Sequence, residues 1–305
     1  MPNIWDAEQI IEPDVALSII QDQFRDLNAQ TIKLLGIGWD NSAYIVNDLY
    51  VFRFPRRAIA VNLLQNELLA LPKIAARLPL PIPVPEWAGN PSDKFPWPFT
   101  GYRILSGITA DQANLSDEER KELAIPIAKF LRKLHATPIE QFKHILPFDT
   151  IGRLNIAKLI SKIEQNLQEL ESLHLLQHKN RLLEILNTAH QLQEAKSNAL
   201  VHGDFYIRHL LLDDNHQISG VIDWGDIHIG DSAVDLAIAH TLLPSSAHAT
   251  FKNAYGDIPK ETWALARLRA LYHSSVLVLY GHKSEDENIK REGLKSLNFI
   301  AQQIA

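Results

Sequence analysis

The sequence contains no cysteine among its 305 residues. Disulfide bridges and cysteine-ligated metal sites are therefore excluded, and the composition fits a reducing cytoplasm, where we expect the protein to act. No apolar run approaches the about 20 residues that span a bilayer, so no membrane partner is expected. Residues 1–6 lack a basic region followed by an apolar run, which predicts that no signal peptide is present.

An excess of basic residues is also missing. The chain has 30 Lys and Arg against 36 Asp and Glu, which gives a formal net charge of −6. Because no basic patch is available to neutralise a phosphate backbone, nucleic acid is not an expected partner. The 46% hydrophobic content is enough for a sizeable core, in one large unit or in two tightly joined lobes.

The first part of the chain is rich in predicted strands. Asn47 and Asp48 form a turn signal between two of them, Pro72 should kink or split a helix, and residues 79–85 alternate with proline and predict an extended connector. The pattern predicts, in chain order, a helix at 13–24, strands at 31–35, 42–46 and 49–54, a helix at 61–78 and a strand at 98–105.

The composition shifts towards helix after Ser106. Ser116 and Glu119 form a capping box that begins a helix through Leu134. Further helical patterns cover 155–196, 261–281 and 286–304, with a small β insert before Asp235. We therefore predict an α+β fold with a small strand-rich N-terminal lobe at 1–105 and a larger helical C-terminal lobe at 106–305.

Residues 200–223 carry the clearest chemical signal. A short apolar strand at 199–201 leads into a loop with Asp204, the polar residue His209 follows five positions later, and a hairpin ends in Asp223. This layout is typical of a phosphoryl-transfer catalytic loop with its metal-binding Asp. Asp204 is the candidate base for an attacking hydroxyl, and Asp223 is the candidate ligand for Mg²⁺ between nucleotide phosphates.

His209 stands where most kinase loops have Asn. Three readings stay open for it: a nitrogen ligand of the metal, a direct phosphate contact, or a structural residue. We expect His202 to brace the loop through hydrogen bonds rather than to exchange protons. Asp235, at the start of an apolar helix, is expected to cap or anchor the loop.

A phosphate-binding cation and its partner carboxylate are predicted in the first lobe. Arg53 on the third strand and Glu67 on the following helix match the kinase pairing of a cation with a helix carboxylate, although the cation is usually Lys. Gly36-Ile37-Gly38 is predicted to form a loop whose backbone N–H groups could bind phosphates. The same short pattern is also typical of a simple turn.

Candidate acceptor contacts follow the metal-binding Asp. Asp226 and His228 lie where a substrate could reach them, although simple solvent exposure is the favoured reading for both. Asp231 precedes the next helix and is a further candidate. Tyr272 could line an apolar wall, while the periodicity of its helix fits core packing equally well.

These motifs resemble the antibiotic phosphotransferases related to the aminoglycoside kinases. The resemblance rests on His202-Gly203-Asp204 with His209, on Val221-Ile222-Asp223-Trp224-Gly225-Asp226, and on Val51-Phe52-Arg53-Phe54-Pro55-Arg56-Arg57. The macrolide 2′-phosphotransferases resemble the chain further, since they also carry His at the position of His209. The run Gly38-Trp39-Asp40-Asn41 is similar to that subgroup as well.

The resemblance implies a bilobal protein-kinase-like fold that uses Mg²⁺ and GTP or ATP to phosphorylate a sugar hydroxyl of a small-molecule antibiotic. It implies that Asp204 is the base, that His209 and Asp223 face the metal, and that Arg53 binds phosphate. The nucleotide base would dock on the backbone of Ile104, Leu105 and Ser106, and a monomer is expected.

Two other functions remain open at this point. An aminoglycoside kinase or a kinase of small metabolites would use the same chemistry on another hydroxyl, and the net charge of −6 does not separate these cases. A nucleotide-binding pseudokinase scaffold belongs to a different class. Arg53 and His209, which depart from the commonest kinase residues, keep it open, while the presence of both Asp204 and Asp223 ranks it last.

Overall fold

The computed structural model describes residues 7–38 and 40–303. The signal-peptide prediction for residues 1–6, the motif residue Trp39 and the predicted helix end at Ile304 lie outside the described residues. The described chain has a strand-rich first part and a helix-rich second part, so the predicted α+β fold class is confirmed.

The first lobe is built on a five-stranded antiparallel sheet with the order β1-β2-β3-β5-β4. Its aromatic side chains pack against helix α1, and the rings of Phe54 and Phe99 stack 4.5 Å apart. The elements are α1 (Pro13–Gln23), β1 (Ile32–Ile37), β2 (Asn41–Val46), β3 (Tyr50–Pro55), α2 (Ala58–Ile74), β4 (Trp87–Gly89) and β5 (Phe99–Arg103).

Strand β1 forms one edge of this sheet and contains a bulge. Leu34 pairs with Tyr44 and Gly36 pairs with Ala43, so Leu35 between them has no partner in β2. The side chains of Leu34 and Leu35 are 50% and 53% exposed. The edge strand therefore presents apolar side chains to solvent.

The predicted turn between β2 and β3 is confirmed. Asn47 and Asp48 both have positive φ, at 53° and 56°, which is the backbone of a two-residue hairpin turn that Asn and Asp tolerate. The Asn47 side chain also accepts hydrogen bonds from the backbone N–H groups of Gln30 and Thr31. The turn is thus tied to the chain that enters β1.

Of the two effects predicted for Pro72, a kink or a split of helix α2, the split is wrong. Pro72 lies in the last turn, the helix continues to Ile74, and a 3₁₀ turn, Ala75–Arg77, follows. The N–H of Ala75 still donates to the carbonyl of Leu71, and both Leu71 and Ile74 are fully buried. Core packing of this last turn outweighs the one hydrogen bond that proline removes.

The proline-rich connector at 79–85 is extended, as predicted. The carbonyl of Pro81 accepts a hydrogen bond of 2.9 Å from the N–H of Val221. Since Val221 lies two residues before Asp223, the connector is tied to the hairpin that carries the candidate metal ligand.

The second lobe is mainly helical, and α9 is its long central helix, in contact with α5, α6, α7 and α10. Among the residues that the structure describes, no helix is both long and apolar enough to cross a bilayer. The helices are α3 (Asp117–Glu122), α4 (Ala124–His135), α5 (Ile156–Ser172), α6 (Lys179–Ala189), α7 (Ala233–Leu242), α8 (His248–Tyr255), α9 (Lys260–Lys283) and α10 (Glu287–Gln302).

The helix predicted to follow Ser116 is divided into α3 and α4, which meet at Leu123. The predicted capping box is confirmed, with Ser116 and Glu119 each bonding the backbone of the other. The division follows from Pro126, which lacks the N–H that would donate to the carbonyl of Glu122 in a continuous helix.

Short strands position the catalytic stretch. They are β6 (Ile108–Thr109), β7 (Ala199–Val201), β8 (Leu210–Leu212), β9 (Ile218–Val221) and β10 (His228–Gly230). Strands β6, β8 and β9 form one small sheet, and β7 pairs with β10, which the sequence did not predict. Because β10 pairs with β7, the chain after Asp223 returns to lie beside the loop that carries Asp204.

Candidate active site

The loop after β7 is held by a buried carboxylate. Asp235 is fully buried at the start of α7, where its two oxygens accept the backbone N–H groups of His202 at 2.7 Å and Gly203 at 2.9 Å. Nε2 of His135 lies 3.1 Å from the same carboxylate. The geometry agrees with the predicted anchoring role of Asp235, which fixes the backbone immediately before Asp204.

Gly203 meets two constraints in this loop. Its φ is +89°, which favours glycine, and a Cβ at this position would lie 2.3 Å from the carbonyl oxygen of Asp226. The loop can therefore pass this close to the chain after Asp223 only because residue 203 has no side chain.

His202 braces the loop as predicted. Its Nε2–H donates to the carbonyl of Ile222 at 3.1 Å, and its Nδ1 accepts the N–H of Asp204 at 3.4 Å. Burial lowers the pKa of His202 to about 4, so the ring stays neutral and suits this pair of bonds. One imidazole thus connects the backbone of the candidate base to the residue before Asp223.

The carboxylate of Asp204 is accessible to solvent, with the side chain 33% exposed. Burial raises the pKa of Asp204 to about 6, although nearby His209 opposes the shift. A carboxylate with a pKa in this range is suited to receive a proton from an attacking hydroxyl.

His209 lies between the two candidate carboxylates. Its Nδ1–H donates to the backbone carbonyl of Asp204 at 2.8 Å, and its Nε2 lies 3.3 Å from Oδ2 of Asp223. Burial lowers the pKa of His209, but the carboxylates of Asp223 and Asp204 outweigh this effect and raise it to about 9. The bond from Nδ1 leaves Nε2 as the nitrogen that faces Asp223.

Asp223 follows β9 with φ of +62°, a strained backbone for a residue with a side chain. The side chain is 52% exposed, and its Oδ1 lies 3.6 Å from Nη2 of Arg53 in the first lobe. Burial of the loop opposes ionisation, but His209 and Arg53 outweigh it and lower the pKa of Asp223. The carboxylate is therefore ionised and available to a cation.

The predicted pairing of Arg53 with Glu67 is present. Nη1 of Arg53 donates to both carboxylate oxygens of Glu67 at 2.8 Å, and Nη2 lies 3.6 Å from Asp223. The side chains of Arg53 and Glu67 are only 12% and 3% exposed. One buried guanidinium on β3 thus joins a helix of the first lobe to the candidate metal ligand of the second.

The predicted glycine loop is wrong at Gly36 and Ile37, which both lie within β1 and pair with β2. The N–H of Gly38 donates to the carbonyl of Asn41 at 2.9 Å, and its carbonyl accepts from Arg56 at 2.8 Å. These bonds close the β1–β2 hairpin, so the backbone of Gly38 is already paired.

The predicted base-docking segment connects the two lobes after β5. The N–H of Ile104 donates to the carbonyl of Leu49, and the carbonyl of Ser106 accepts from the hydroxyl of Ser219. The N–H of Ile104 is therefore already used within the protein and is not available to a nucleotide base.

The predicted acceptor contacts have different environments. Asp226 is 40% exposed and pairs with Arg153, which the sequence did not suggest as a site residue. His228 is buried in β10, with its ring against Gly203 and its Nδ1–H donating to the carbonyl of Asp226 at 2.7 Å, so the expected solvent exposure is wrong for His228. The pairing of β10 with β7 encloses this ring.

Asp231 and Tyr272 are both engaged within the protein. The oxygens of Asp231 accept the backbone N–H groups of Ala233 at 2.9 Å and Lys196 at 2.7 Å. The Tyr272 ring lies 5.3 Å from the guanidinium of Arg269 and is partly buried against an apolar cluster formed by several helices of the second lobe. Arg269 is a second cation beside the acceptor residues that the sequence did not single out.

A cavity of about 670 Å³ lies beside the start of α5, and we call it the α5 cavity. Asp149 and His228 are on its wall, so it borders the residues that follow Asp223. Its lining combines apolar side chains with carboxylates, among them Leu154, Ile156, Ile160, Glu164, Glu194 and Asp231. The sequence had suggested Tyr272 for an apolar wall, but it did not indicate this cavity, which Tyr272 does not line.

Comparison of this chain with models of known protein families identifies one matching family. The model of the phosphotransferase enzyme family matches residues 31–271 of this chain. The uncharacterized protein YcbJ of Bacillus subtilis is 25% identical over 97 residues, which are 30% of this chain and 32% of that relative. That alignment thus spans about a third of the relative's length.

Solved structures of similar overall fold include aminoglycoside phosphotransferases and macrolide phosphotransferases. A complex of APH(2")-IIia with GDP and kanamycin is 26% identical, with a TM-score of 0.66 over 92% of this chain and 96% of its own. The GDP complex of aminoglycoside 2′-phosphotransferase-IIIa is 24% identical, with a TM-score of 0.69 over 95% of this chain and 99% of its own.

The apoenzyme of macrolide 2′-phosphotransferase MphH from Brachybacterium faecium is 21% identical, with a TM-score of 0.59 over 93% of this chain and 98% of its own. The catalytic loop, the two-lobed architecture and the match over residues 31–271 agree with one another. The chain is therefore a phosphotransferase that belongs to the phosphotransferase enzyme family and has its bilobal, kinase-like fold.

Proposed function

We propose that this protein transfers the γ-phosphoryl group of GTP or ATP to a sugar hydroxyl of an antibiotic, with macrolides as the first candidate acceptors. The observation that carries the proposal is the close assembly of Asp204, His209, Asp223 and the Arg53–Glu67 pair. A base, a metal-facing carboxylate and a phosphate cation are the groups that phosphoryl transfer requires.

In the proposed reaction, Asp204 orients the acceptor hydroxyl and takes its proton as the oxygen forms a bond to the γ-phosphorus. The bond from that phosphorus to the bridging oxygen breaks at the same time, and the nucleoside diphosphate leaves. Arg53, held by Glu67, binds the α- and β-phosphates and offsets the negative charge that develops on the leaving group.

The residues fit a magnesium ion bound together with nucleotide phosphates. Mg²⁺ is usually held by one or two carboxylates plus phosphate oxygens and water, and Asp223 supplies an ionised carboxylate that is 52% exposed. Nδ1 of His209 is fixed by the Asp204 carbonyl, which leaves Nε2 facing Asp223. Because the pKa of His209 is raised to about 9, Nε2 would have to lose its proton to bind the ion, and as an N–H it would donate to a phosphate oxygen. When bound, the metal would neutralise charge on the transferred phosphoryl group.

The α5 cavity supports a macrolide acceptor. A macrolide combines a large apolar ring with one amino sugar, and the cavity offers apolar side chains such as Leu154 and Ile160 beside the carboxylates of Glu164 and Glu194. Two other acidic residues near the loop, Asp149 and Asp226, are already paired with Arg153. Few carboxylates remain for an acceptor with many amino groups.

An aminoglycoside kinase is the second candidate function. It is supported by the structure of APH(2")-IIia with GDP and kanamycin, which is 26% identical to this chain with a TM-score of 0.66. The compared aminoglycoside enzymes were solved with GDP, which supports a purine nucleotide as co-substrate here. The lobe boundary at residue 105 and the monomeric state remain predictions.

The proposal is tested by incubating the protein with Mg²⁺, GTP or ATP, and a panel of macrolides, aminoglycosides and small alcohols. Mass spectrometry should show one added phosphate on erythromycin-type drugs. Phosphate on kanamycin-type drugs alone would replace the first candidate with the second. Nucleotide binding without turnover on any acceptor would favour a pseudokinase.

A further inference from the structure

Arg153 lies almost buried between the catalytic loop and the α5 cavity. Its Nη1 is 3.1 Å from Oδ1 of Asp149, its Nη2 contacts Oδ1 of Asp226, and its side chain is 12% exposed. One guanidinium therefore neutralises two carboxylates that belong to segments 77 positions apart in the sequence.

The segment around Arg153 is held by its own hydrogen bonds. Oδ2 of Asp149 accepts the backbone N–H of Arg153 at 2.7 Å, so this carboxylate binds both the main chain and the guanidinium of one residue. Gly152, with φ of +67°, forms the turn immediately before Arg153. Asn155 caps α5 by accepting the N–H of Lys158. Arg153 is thus positioned before any substrate arrives.

Asp226 brings this ion pair close to the reacting groups. It lies three residues after Asp223, and its carbonyl oxygen is the atom that a Cβ at Gly203, next to Asp204, would approach to 2.3 Å. Asp149 lies on the wall of the α5 cavity. The ion pair therefore connects the chain beside the catalytic loop, through Asp226, to the wall of the cavity that we assign to the acceptor, through Asp149.

We propose that Arg153 is a specificity-determining residue that keeps Asp149 and Asp226 from binding the amino groups of polycationic acceptors. The inference rests on the proposed function in taking this side of the catalytic loop as the acceptor side. Specificity of this kind comes from blocking the wrong ligand as well as from binding the right one. An acceptor with one amino group needs neither carboxylate, whereas an aminoglycoside must compete with a guanidinium that is already in place.

The test measures kanamycin binding by calorimetry in the presence of GDP and Mg²⁺. Arg153→Met keeps most of the side-chain volume and frees both carboxylates, so we expect kanamycin affinity to rise by roughly 10- to 100-fold, the range for a charge-assisted hydrogen bond. Arg153→Lys keeps the positive charge and should bind kanamycin as weakly as the native protein.

Two further variants test whether the gain in kanamycin affinity comes from the freed carboxylates. Arg181→Met removes a charge from an exposed Arg of α6 and should leave kanamycin affinity unchanged. In the double variant Arg153→Met/Asp149→Asn the gained affinity should fall again, because one freed carboxylate is lost. Thermal unfolding of each variant identifies any that fails to fold. If Arg153→Met fails, Arg153→Gln takes its place, since it also removes the charge and must show the same gain.

The inference is overturned if Arg153→Met binds kanamycin no more tightly than the native protein, or if Arg181→Met gains as much. A gain in Arg153→Met together with no phosphorylation of macrolides would leave the inference standing and refute the macrolide proposal. The two failures are therefore distinguishable.

Discussion

Replacing Arg53 by Met separates two roles that this residue combines. Arg53 makes two hydrogen bonds of 2.8 Å to Glu67, and the Glu67 side chain is 3% exposed. Arg53→Met leaves that carboxylate buried without its partner, which costs about 3–5 kcal/mol in the free energy of unfolding. A typical domain has only about 5–15 kcal/mol in total, so the loss is easily measured.

The double variant Arg53→Met/Glu67→Leu gives the matched comparison. It removes both members of the pair and replaces them by apolar groups, which is often close to neutral for stability. We therefore expect urea denaturation, followed by tryptophan fluorescence, to show a large loss for the single variant and recovery of most of it in the double variant.

Nucleotide affinity should behave differently from stability. Both variants lack the cation that we assign to the α- and β-phosphates, so both should bind GDP and ATP more weakly by roughly 10-fold or more, the magnitude of one charge-assisted hydrogen bond. Equal stability of the single and double variants would refute the buried-pair argument. Native-like nucleotide affinity in the double variant would refute the phosphate role of Arg53.

Three other substitutions test the catalytic loop. Asp204→Asn should lower kcat by about 10²- to 10⁴-fold with unchanged nucleotide affinity, and near-native kcat would show that Asp204 is not the base. Asp223→Ala should weaken nucleotide binding in Mg²⁺ but not in EDTA, and an unchanged response to Mg²⁺ by calorimetry would count against its metal role. Asp235→Asn replaces one acceptor oxygen by a donor, so a buried N–H of His202 or Gly203 loses its partner. This should cost about 1–3 kcal/mol in urea denaturation, and a smaller change would mean that the loop relaxes.

The features that the sequence predicted correctly are those with local causes. The Asn47-Asp48 turn, the capping box of Ser116 and Glu119, and the strand that delivers Asp204 each depend on residues a few positions apart. The same holds for the hairpin that ends in Asp223. Where short-range backbone chemistry decides the structure, the pattern of residue types was enough.

The features that the sequence missed depend on contacts between distant segments. Arg153 pairs with Asp226 across 73 positions, and nothing in either local motif indicates the other. Strand β10 has only three residues, of which His228 and Gly230 are poor strand signals, and it exists because it pairs with β7. The buried ring of His228 follows from that pairing and could not be read from its neighbours.

The bulge at Leu35 has a consequence for the behaviour of the protein at high concentration. An edge strand with exposed apolar side chains is a template on which a second chain can add a strand, and β1 presents Leu34, Leu35 and Ile37 at such an edge. The extra residue interrupts the regular spacing of backbone groups, so an incoming strand cannot keep its register along β1. Deleting Leu35 would make this edge continuous, and the resulting chain should self-associate and lose solubility.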